Sequence, residues 1–215
     1  MKKNQINVIQ QVSINRFVAE FLNNNRHQIT DDELSNLRLV DNPDFENIQD
    51  NKERWILFKN KFWLFNRFLP HCDWYKCELS FPECLSFVEI INEESWFQGF
   101  PSLRRLASEI DYNIIPSAAH KMKIDGLVNV GIEKFINDKH LILIGKFDNN
   151  KLSLIDGNHR FLALHEAYKL HRFANLKIHV IIGFSFGNSR WMGDQDNWEE
   201  RPSISNEKRY VLNIW

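Results

Sequence analysis

The sequence of 215 residues has few cysteines, no excess of charge of either sign and no long apolar run. Its 27 basic and 28 acidic residues leave a formal net charge of -1, so there is no overall positive field to hold DNA or an anionic membrane by bulk electrostatics. No uninterrupted apolar run approaches the roughly 20 residues that a membrane-spanning helix needs. We therefore expect no membrane association, while a local basic patch is still compatible with this balance.

The three cysteines, Cys72, Cys77 and Cys84, lie close together in the sequence. The chain begins with the polar run 1–5 and shows no apolar segment of a secretory signal peptide. We therefore expect a cytoplasmic protein with free thiols. Although His71 precedes the first cysteine, the spacing matches no pair of zinc knuckles, so buried free thiols are favoured and no metal site is assigned.

The overall composition is that of a folded protein. Hydrophobic residues make up 43% and charged residues 26%, which excludes disorder as the dominant state. A chain of this length buries most of its apolar surface and needs no disulfide or metal to fold. Aromatic residues are abundant, with 17 Phe and 7 Trp, and we expect most of them in the core.

Residues 1–70 are predicted to form an N-terminal helical extension. Apolar residues recur there at the spacing of a helix face: Val8, Val12, Phe17, Phe21 and Leu22. The run 30–33, Thr-Asp-Asp-Glu, has the capping chemistry of a helix start, and the polar stretch 41–53 is predicted as a loop or short helix. A series of aromatic residues from Trp55 to Phe68 then predicts a packing helix that ends at Pro70.

Residues 71–215 are predicted to form a second unit, an α/β domain. Strands are predicted over 74–79, 141–145, 151–155 and 177–183, the second and third joined as a hairpin by the turn 147–150. Helices are predicted over 82–91, 102–110 and 158–170. Residues 111–130 are predicted as an ordered loop, and no element is assigned to 184–215.

The most informative segment, 154–164, joins an apolar strand to a helix through Gly157. The first turn of a helix has free backbone N–H groups and the positive end of the helix dipole. Gly157 lets the backbone approach a ligand, and Asn158 offers amide donors. His159 exchanges protons near neutral pH, and Arg160 has a planar fork suited to phosphate oxygens. The segment therefore predicts a site for an oligophosphate.

Asp156 precedes this turn and has two uses. Its carboxylate can cap the helix by accepting from the first-turn N–H groups. It can also take a proton from a hydroxyl or orient a metal-bound water. Because Asp-Gly before a helix is common turn-and-cap chemistry, spacing alone leaves a purely structural interpretation open.

The run from Asp156 to Arg160, Asp-Gly-Asn-His-Arg, resembles the signature of the ParB/sulfiredoxin-like nucleotide-binding superfamily. Sulfiredoxins have Gly-Cys-His-Arg at this turn, free serine kinases have Asp-Gly-His-His-Arg, and ParB partition proteins have Gly-Glu-Arg-Arg for a CTP switch. The resemblance covers the layout of residues 71–185 and a short run of specific letters. It implies a small mixed sheet with flanking helices, with nucleotide phosphates held at the turn.

Departures from these signatures limit what the resemblance implies about activity. Asn158 stands where sulfiredoxins have their nucleophilic cysteine, which excludes sulfiredoxin chemistry. The second histidine of the serine kinases and the Glu-Arg pair of ParB are both absent. The nearest motif is that of the serine kinases, which implies a nucleotide-dependent phosphotransferase acting on the hydroxyl of a small, serine-like metabolite. Two alternatives stay open: a ParB-like regulator or DNA-associated switch, and a nucleotide-hydrolysing or nucleic-acid-modifying phage or defence protein.

The resemblance to serine kinases also implies roles for individual residues. Asp156 and His159 would flank the transferred phosphoryl group. An upstream glutamate would activate the acceptor hydroxyl, and Glu93 and Glu94 are the candidates. ATP or ADP is the implied nucleotide, with CTP as an alternative, and Mg²⁺ would bridge the phosphates with few protein ligands.

Two further segments are candidates for the walls of this site. His120, Lys121 and Lys123 are expected to close over the phosphates from the other side, although a solvated loop is the competing interpretation. The Trp-rich segment 186–198 either stacks a base or a sugar, or is a surface loop anchored by its tryptophans.

Overall fold

The computed structural model describes residues 6–29, 34–61, 72–91, 104–110, 112–115, 117–131, 139–146, 151–170 and 176–185. Its strands are β1 (Asn7–Val12), β2 (Cys72–Ser80), β3 (Val88–Ile91), β4 (Arg104–Leu106), β5 (Leu141–Lys146), β6 (Leu152–Asp156) and β7 (Lys177–Ser185). Its α-helices are α1 (Ile14–Asn24), α2 (Leu34–Asp41), α3 (Ile48–Lys61), α4 (Phe81–Cys84), α5 (Ala118–Val130) and α6 (Asn158–Lys169).

The seven described strands form one mixed sheet in the order β1-β2-β7-β5-β6-β3-β4. β5 pairs with β7 and β3 pairs with β6 in parallel, and the other neighbouring strands are antiparallel. The predicted class, a mixed α/β sheet with flanking helices, is confirmed. The antiparallel pairing of β5 with β6 also confirms the predicted hairpin strands, while its turn, 147–150, lies outside the described residues.

Helices cover both faces of this sheet. Side chains alternate between the two faces of a strand, and along β5 Leu141 and Leu143 enter one apolar core while Ile142 and Ile144 enter the other. The first core contains buried residues of α5 and α6, and the second contains buried residues of α1, α2 and α3. The sheet is therefore the middle layer of three, and the N-terminal helices form one outer layer.

The core beneath the N-terminal helices is largely aromatic. Phe17 of α1 stacks on Trp74 of β2 with 3.8 Å between ring centroids, and Phe21 meets Phe58 of α3 edge to face at 5.2 Å. Trp74 lies beside Gly183 of β7, where a Cβ atom would come within 2.8 Å of the indole ring. These aromatic residues lie in the core as the composition predicts, while more than half of the Phe and Trp residues of the chain lie outside the described residues.

The first part of the chain is not wholly helical. Val8 and Val12, which were expected on a helix face, belong to β1, whose residues pair with β2 at the edge of the sheet. Val8 and Val12 are four residues apart, which is also the spacing of a helix face. In this edge strand Val8 is half-exposed and only Val12 is buried, so the sequence lacks the alternation of apolar and polar residues that marks a strand. The helix itself begins at Ile14, after Ser13, whose hydroxyl accepts from the backbone N–H of Arg16. The predicted helix start at 30–33 and the stretch 62–70 lie outside the described residues.

Three predictions in the middle of the chain are wrong or half right. The helix predicted over 102–110 is the short strand β4 followed by the 3-10 turn Ala107–Glu109, since pairing with β3 overrides the local helical pattern. The loop predicted over 111–130 contains α5, which begins after Ser117, an N-cap residue. α5 buries only Ile124 fully, so it lacks the apolar stripe that reveals a helix in sequence. Residues 82–91 contain the short helix α4 and then the strand β3.

Candidate functional site

The predicted phosphate turn lies where β6 ends and α6 begins, and a cavity of about 690 Å³ opens beside it. One wall is the end of α1 with the 3-10 turn Arg26–Gln28, and the opposite wall is one face of α5. Residues 155–160 and Lys139 complete the lining. The site therefore lies between the two helical layers, and the N-terminal segment contributes part of it.

Gly157 is required by the conformation of the turn. Its φ is +99°, and a Cβ atom would lie 2.5 Å from Cδ2 of Leu141 and 3.1 Å from Nη2 of Arg160. Gly157 is also the N-cap residue of α6, and no side chain caps this helix. The amides of the first turn of α6 are therefore left to a ligand or to water.

The carboxylate of Asp156 is held by three donors of the protein. Oδ2 accepts from Nδ2 of Asn24 at 2.7 Å and from Nη2 of Arg160 at 3.0 Å, and Oδ1 accepts from Nδ2 of Asn25 at 3.2 Å. The helix cap that the sequence offered as one use of Asp156 is not formed, because α6 has no side-chain cap. Asp156 instead connects the end of α1 to the phosphate turn.

The guanidinium of Arg160 also bonds to the protein. Besides Asp156, it donates through Nη1 to the carbonyls of Lys139 at 2.7 Å and His140 at 3.2 Å. Burial lowers the pKa of Arg160 and the charge of Asp156 opposes this effect, so the group stays protonated, as arginine does in proteins. The guanidinium of Arg160, which was expected to bind phosphate oxygens, therefore uses several of its N–H groups to hold segments of the chain around the cavity.

His159 and His120 form a close pair across the two helices α6 and α5. Nε2 of His159 lies 2.9 Å from Nδ1 of His120, a distance at which one ring donates and the other accepts. Burial, together with the nearby charges of His120 and Lys123, lowers the pKa of His159 to about 4. At neutral pH the imidazole of His159 is therefore uncharged.

Lysines give the cavity its positive charge. Lys123 and Lys139 line it, and Nζ of Lys139 donates to the backbone carbonyl of Asn24 at 3.4 Å. Burial lowers the pKa of Lys139, and the nearby charge of Arg160 lowers it too. Asp156 is the one acidic residue among the described residues of the wall, and its negative charge is neutralised by Arg160. Lys121 is not part of the wall: its Nζ donates to the carbonyl of Asn113 at 3.2 Å.

Sequence reasoning missed Asn24 and Asn25, which reach Asp156 from 132 and 131 residues away. The one signal in the sequence is the run of three asparagines, 23–25, at the end of α1. Oδ1 of Asn24 and Oδ1 of Asn158 are buried without a hydrogen-bond partner within the described parts of the chain. Both residues line the cavity, although these two oxygens are themselves buried.

The remaining candidates are placed as follows. Glu93, Glu94 and the segment 186–198 lie outside the described residues. Cys77 and Cys84 are buried free thiols and Cys72 is half-buried, and burial raises the pKa of Cys77 to about 12.

The described residues contain no group of three or more His, Cys, Asp or Glu placed to hold a metal. Across the same residues, no helix has the length and apolar character needed to cross a membrane.

Comparisons with protein-family models, curated proteins and solved structures each gave no match to this chain.

Proposed function

We propose that the protein binds a nucleotide by its phosphates in this cavity and transfers a phosphoryl group to the hydroxyl of a small metabolite. The observation that carries the proposal is the uncapped start of α6 in a cavity lined by Lys123, Lys139 and Arg160, where Asp156 supplies the one carboxylate among the described residues. A helix N-terminus beside several cations is a favourable place for phosphate oxygens.

The size and the local architecture of the site agree with this proposal. A cavity of about 690 Å³ lies within the range of about 300–1,000 Å³ that is usual for small-molecule sites. The order of β5, β6, turn and α6 is the one that the resemblance to the ParB/sulfiredoxin-like superfamily implies. That resemblance is the reason for choosing a nucleotide over other phosphorylated ligands.

The proposed transfer is an in-line displacement. The acceptor oxygen bonds to the terminal phosphorus as the bond from that phosphorus to the bridging oxygen of the nucleotide breaks, and the nucleotide leaves with one phosphate fewer. Lys123, Lys139 and the amides of α6 would stabilise the charge on the phosphoryl oxygens. The hydroxyl proton passes to a base, for which neutral His159 is a described candidate and Glu93 and Glu94 are the candidates from sequence.

The geometry changes the role expected of Asp156. Since Asn24, Asn25 and Arg160 already donate to its carboxylate, we assign it to holding the phosphate turn in place. When bound, Mg²⁺ would neutralise phosphate charge and would be held chiefly by the phosphate oxygens. Asp156 is the one described residue of the wall with a carboxylate. Because Asn24, Asn25 and Arg160 already donate to that carboxylate, the wall offers few oxygen ligands to Mg²⁺.

Binding measurements test the phosphate site. Titration calorimetry with ATP, ADP, CTP and tripolyphosphate should show binding that falls about tenfold or more in Lys139→Ala and in Lys123→Ala, because each removes a charge from the cavity. Lys121→Ala is the matched control, since Lys121 lies on α5 but outside the wall. Equal affinities in all three variants would contradict the proposal.

Turnover is tested separately. Incubation with the preferred nucleotide, Mg²⁺ and a panel of hydroxyl compounds, serine among them, should yield a phosphorylated acceptor. His159→Gln should lower the rate more than it lowers nucleotide affinity if His159 takes the proton. A rate that is unchanged in this variant would remove His159 from the chemistry.

A nucleotide-binding switch without phosphoryl transfer is the second candidate. The contacts of Asn24 and Asn25 with Asp156 favour it, because they connect the N-terminal helical layer directly to the phosphate turn. Nucleotide binding without turnover on any acceptor would support the switch. DNA retention that weakens steeply with salt would point to its DNA-associated form.

A further inference from the structure

One face of α5 lines the cavity over nearly two turns. Lys123, Gly126, Leu127 and Val130 belong to this wall, and they have the spacing of a single helix face. The face changes along its length from a cation at Lys123 to apolar side chains at Leu127 and Val130. Val130 is 63% exposed, so the cavity leaves this apolar end open among the described residues.

The cationic end of the face is the end nearest the phosphate turn. His120, one turn before Lys123, contacts His159 of α6 at 2.9 Å. Val130 lies seven residues beyond Lys123, which is about 10 Å along a helix. The apolar end is therefore about 10 Å along α5 from Lys123, on the side away from His120.

Gly126, in the middle of this face, is not required by the backbone. Its φ is not positive, unlike the φ of Gly131 and of Gly157. No atom of the described residues lies within 4 Å of the place where a Cβ would be. Glycine is among the least favourable residues in a helix interior, so its presence at position 126 calls for a reason. A glycine has no side chain and therefore lets a ligand approach the backbone of the helix closely.

We infer that the face of α5 around Gly126 is the ring subsite of a nucleoside phosphate, whose planar base lies against Gly126 beside Leu127 and Val130. The inference rests on the proposed function, because it assumes that the phosphates bind at the start of α6. The facing wall contains Asn25 and Gln28, whose amide side chains bond to each other, with Nε2 of Gln28 donating to Oδ1 of Asn25 at 3.2 Å.

Substitutions at Gly126 separate the ring from the phosphates. Calorimetry on the full chain compares ATP with tripolyphosphate, which has the phosphates but no ring. Gly126→Leu should weaken ATP on the order of tenfold and Gly126→Ala by a smaller factor, while both bind tripolyphosphate within about twofold of the natural chain. Asn129→Leu is the matched control, because Asn129 is exposed on α5 and does not line the cavity.

The outcomes distinguish this inference from the proposed function. If the natural chain binds neither ATP nor tripolyphosphate, the proposed function fails. If both bind but Gly126→Leu and Gly126→Ala hold ATP as tightly as Asn129→Leu does, the ring subsite is wrong and the phosphate site stands. Equal weakening of both ligands in the Gly126 variants would also overturn the ring subsite. Gly126→Ala favours the helix, so it keeps the test valid where the leucine variant folds poorly.

Discussion

Asp156 and Arg160 form an ion pair with 3.0 Å between Oδ2 and Nη2, and their side chains are only 14% and 12% exposed. The carboxylate accepts from the end of α1, and the guanidinium donates to the carbonyls of residues 139 and 140. The pair thus joins three segments that are distant in sequence. The motif from Asp156 to Arg160 therefore has a structural function.

Asp156→Ala should destabilise the fold strongly. The substitution leaves the guanidinium of Arg160 buried without its counter-charge, and breaking such a pair costs about 3–5 kcal/mol of unfolding free energy. Urea unfolding followed by tryptophan fluorescence measures the change. Lys177→Ala, which removes the exposed partner of Glu78, is the control and should have little effect. A loss in Asp156→Ala no larger than in the control would show that the pair is not needed for stability.

Gly157→Ala should also destabilise the protein, for a different reason. An L-residue at a φ of +99° costs about 1–2 kcal/mol, and contact of the new Cβ with Leu141 adds to it. Gly126→Ala is the matched glycine control, because the space beside Gly126 is open among the described residues and its φ is not positive; it should leave the melting temperature equal or higher. The same loss in both variants would mean that backbone conformation at the turn is not the cause.

The local part of the site was predictable from sequence, and the distant part was not. The strand, the turn at Gly157 and the helix α6 follow from apolar runs and turn chemistry within one short segment. Asn24 and Asn25 reach the site only because α1 packs on the far face of the sheet, which no local pattern encodes. Sequence alone cannot tell whether the fork of Arg160 meets a ligand or a backbone carbonyl, because the carbonyls come from a separate segment.

The fold shows the same division between local and distant effects. Strands β2, β5, β6 and β7 have continuous or alternating apolar residues and were predicted. Strand β1 and the short strand β4 lie at the two edges of the sheet, where pairing with one neighbour decides the conformation against the local pattern. α5 went unpredicted because it buries only Ile124 fully and most of its other residues are exposed, so it lacks an apolar stripe.

Stability should fall as the pH is lowered through the range from about 6.5 to about 4, in part because of His159. Its pKa is lowered to about 4 in the folded protein, chiefly by burial, while an unfolded histidine titrates near 6.5. Within this window the unfolded chain binds the proton and the folded one does not, so protonation favours unfolding. Above the window both states are neutral and this effect vanishes. His165, whose pKa burial also lowers to about 4, acts in the same direction.

Urea unfolding at several pH values between about 4 and 7 measures this dependence. His159→Gln should flatten the decline in unfolding free energy, and His159→Gln with His165→Gln should flatten it further. His179→Gln is the control, since the side chain of His179 on β7 is 41% exposed, far more than the 6% of His165. A decline that is equally steep in the natural chain and in the double variant would assign the acid sensitivity to other groups.

Removing residues 1–61 should prevent the remaining chain from folding stably, although the sequence divides the chain into a helical extension, 1–70, and an α/β domain, 71–215. Trp74, Ile142, Ile144 and Ile181 of the sheet would lose the cover of α1 and α3 and expose a continuous apolar face. We expect the truncated chain to bind a hydrophobic dye, to aggregate in gel filtration and to lack a cooperative thermal transition. Phe17→Ala in the full chain is the graded control: it keeps the layer but removes the ring stacked on Trp74, at a cost of about 3–5 kcal/mol. A truncated chain that is monodisperse and unfolds cooperatively would show that residues 62–215 fold without the N-terminal layer.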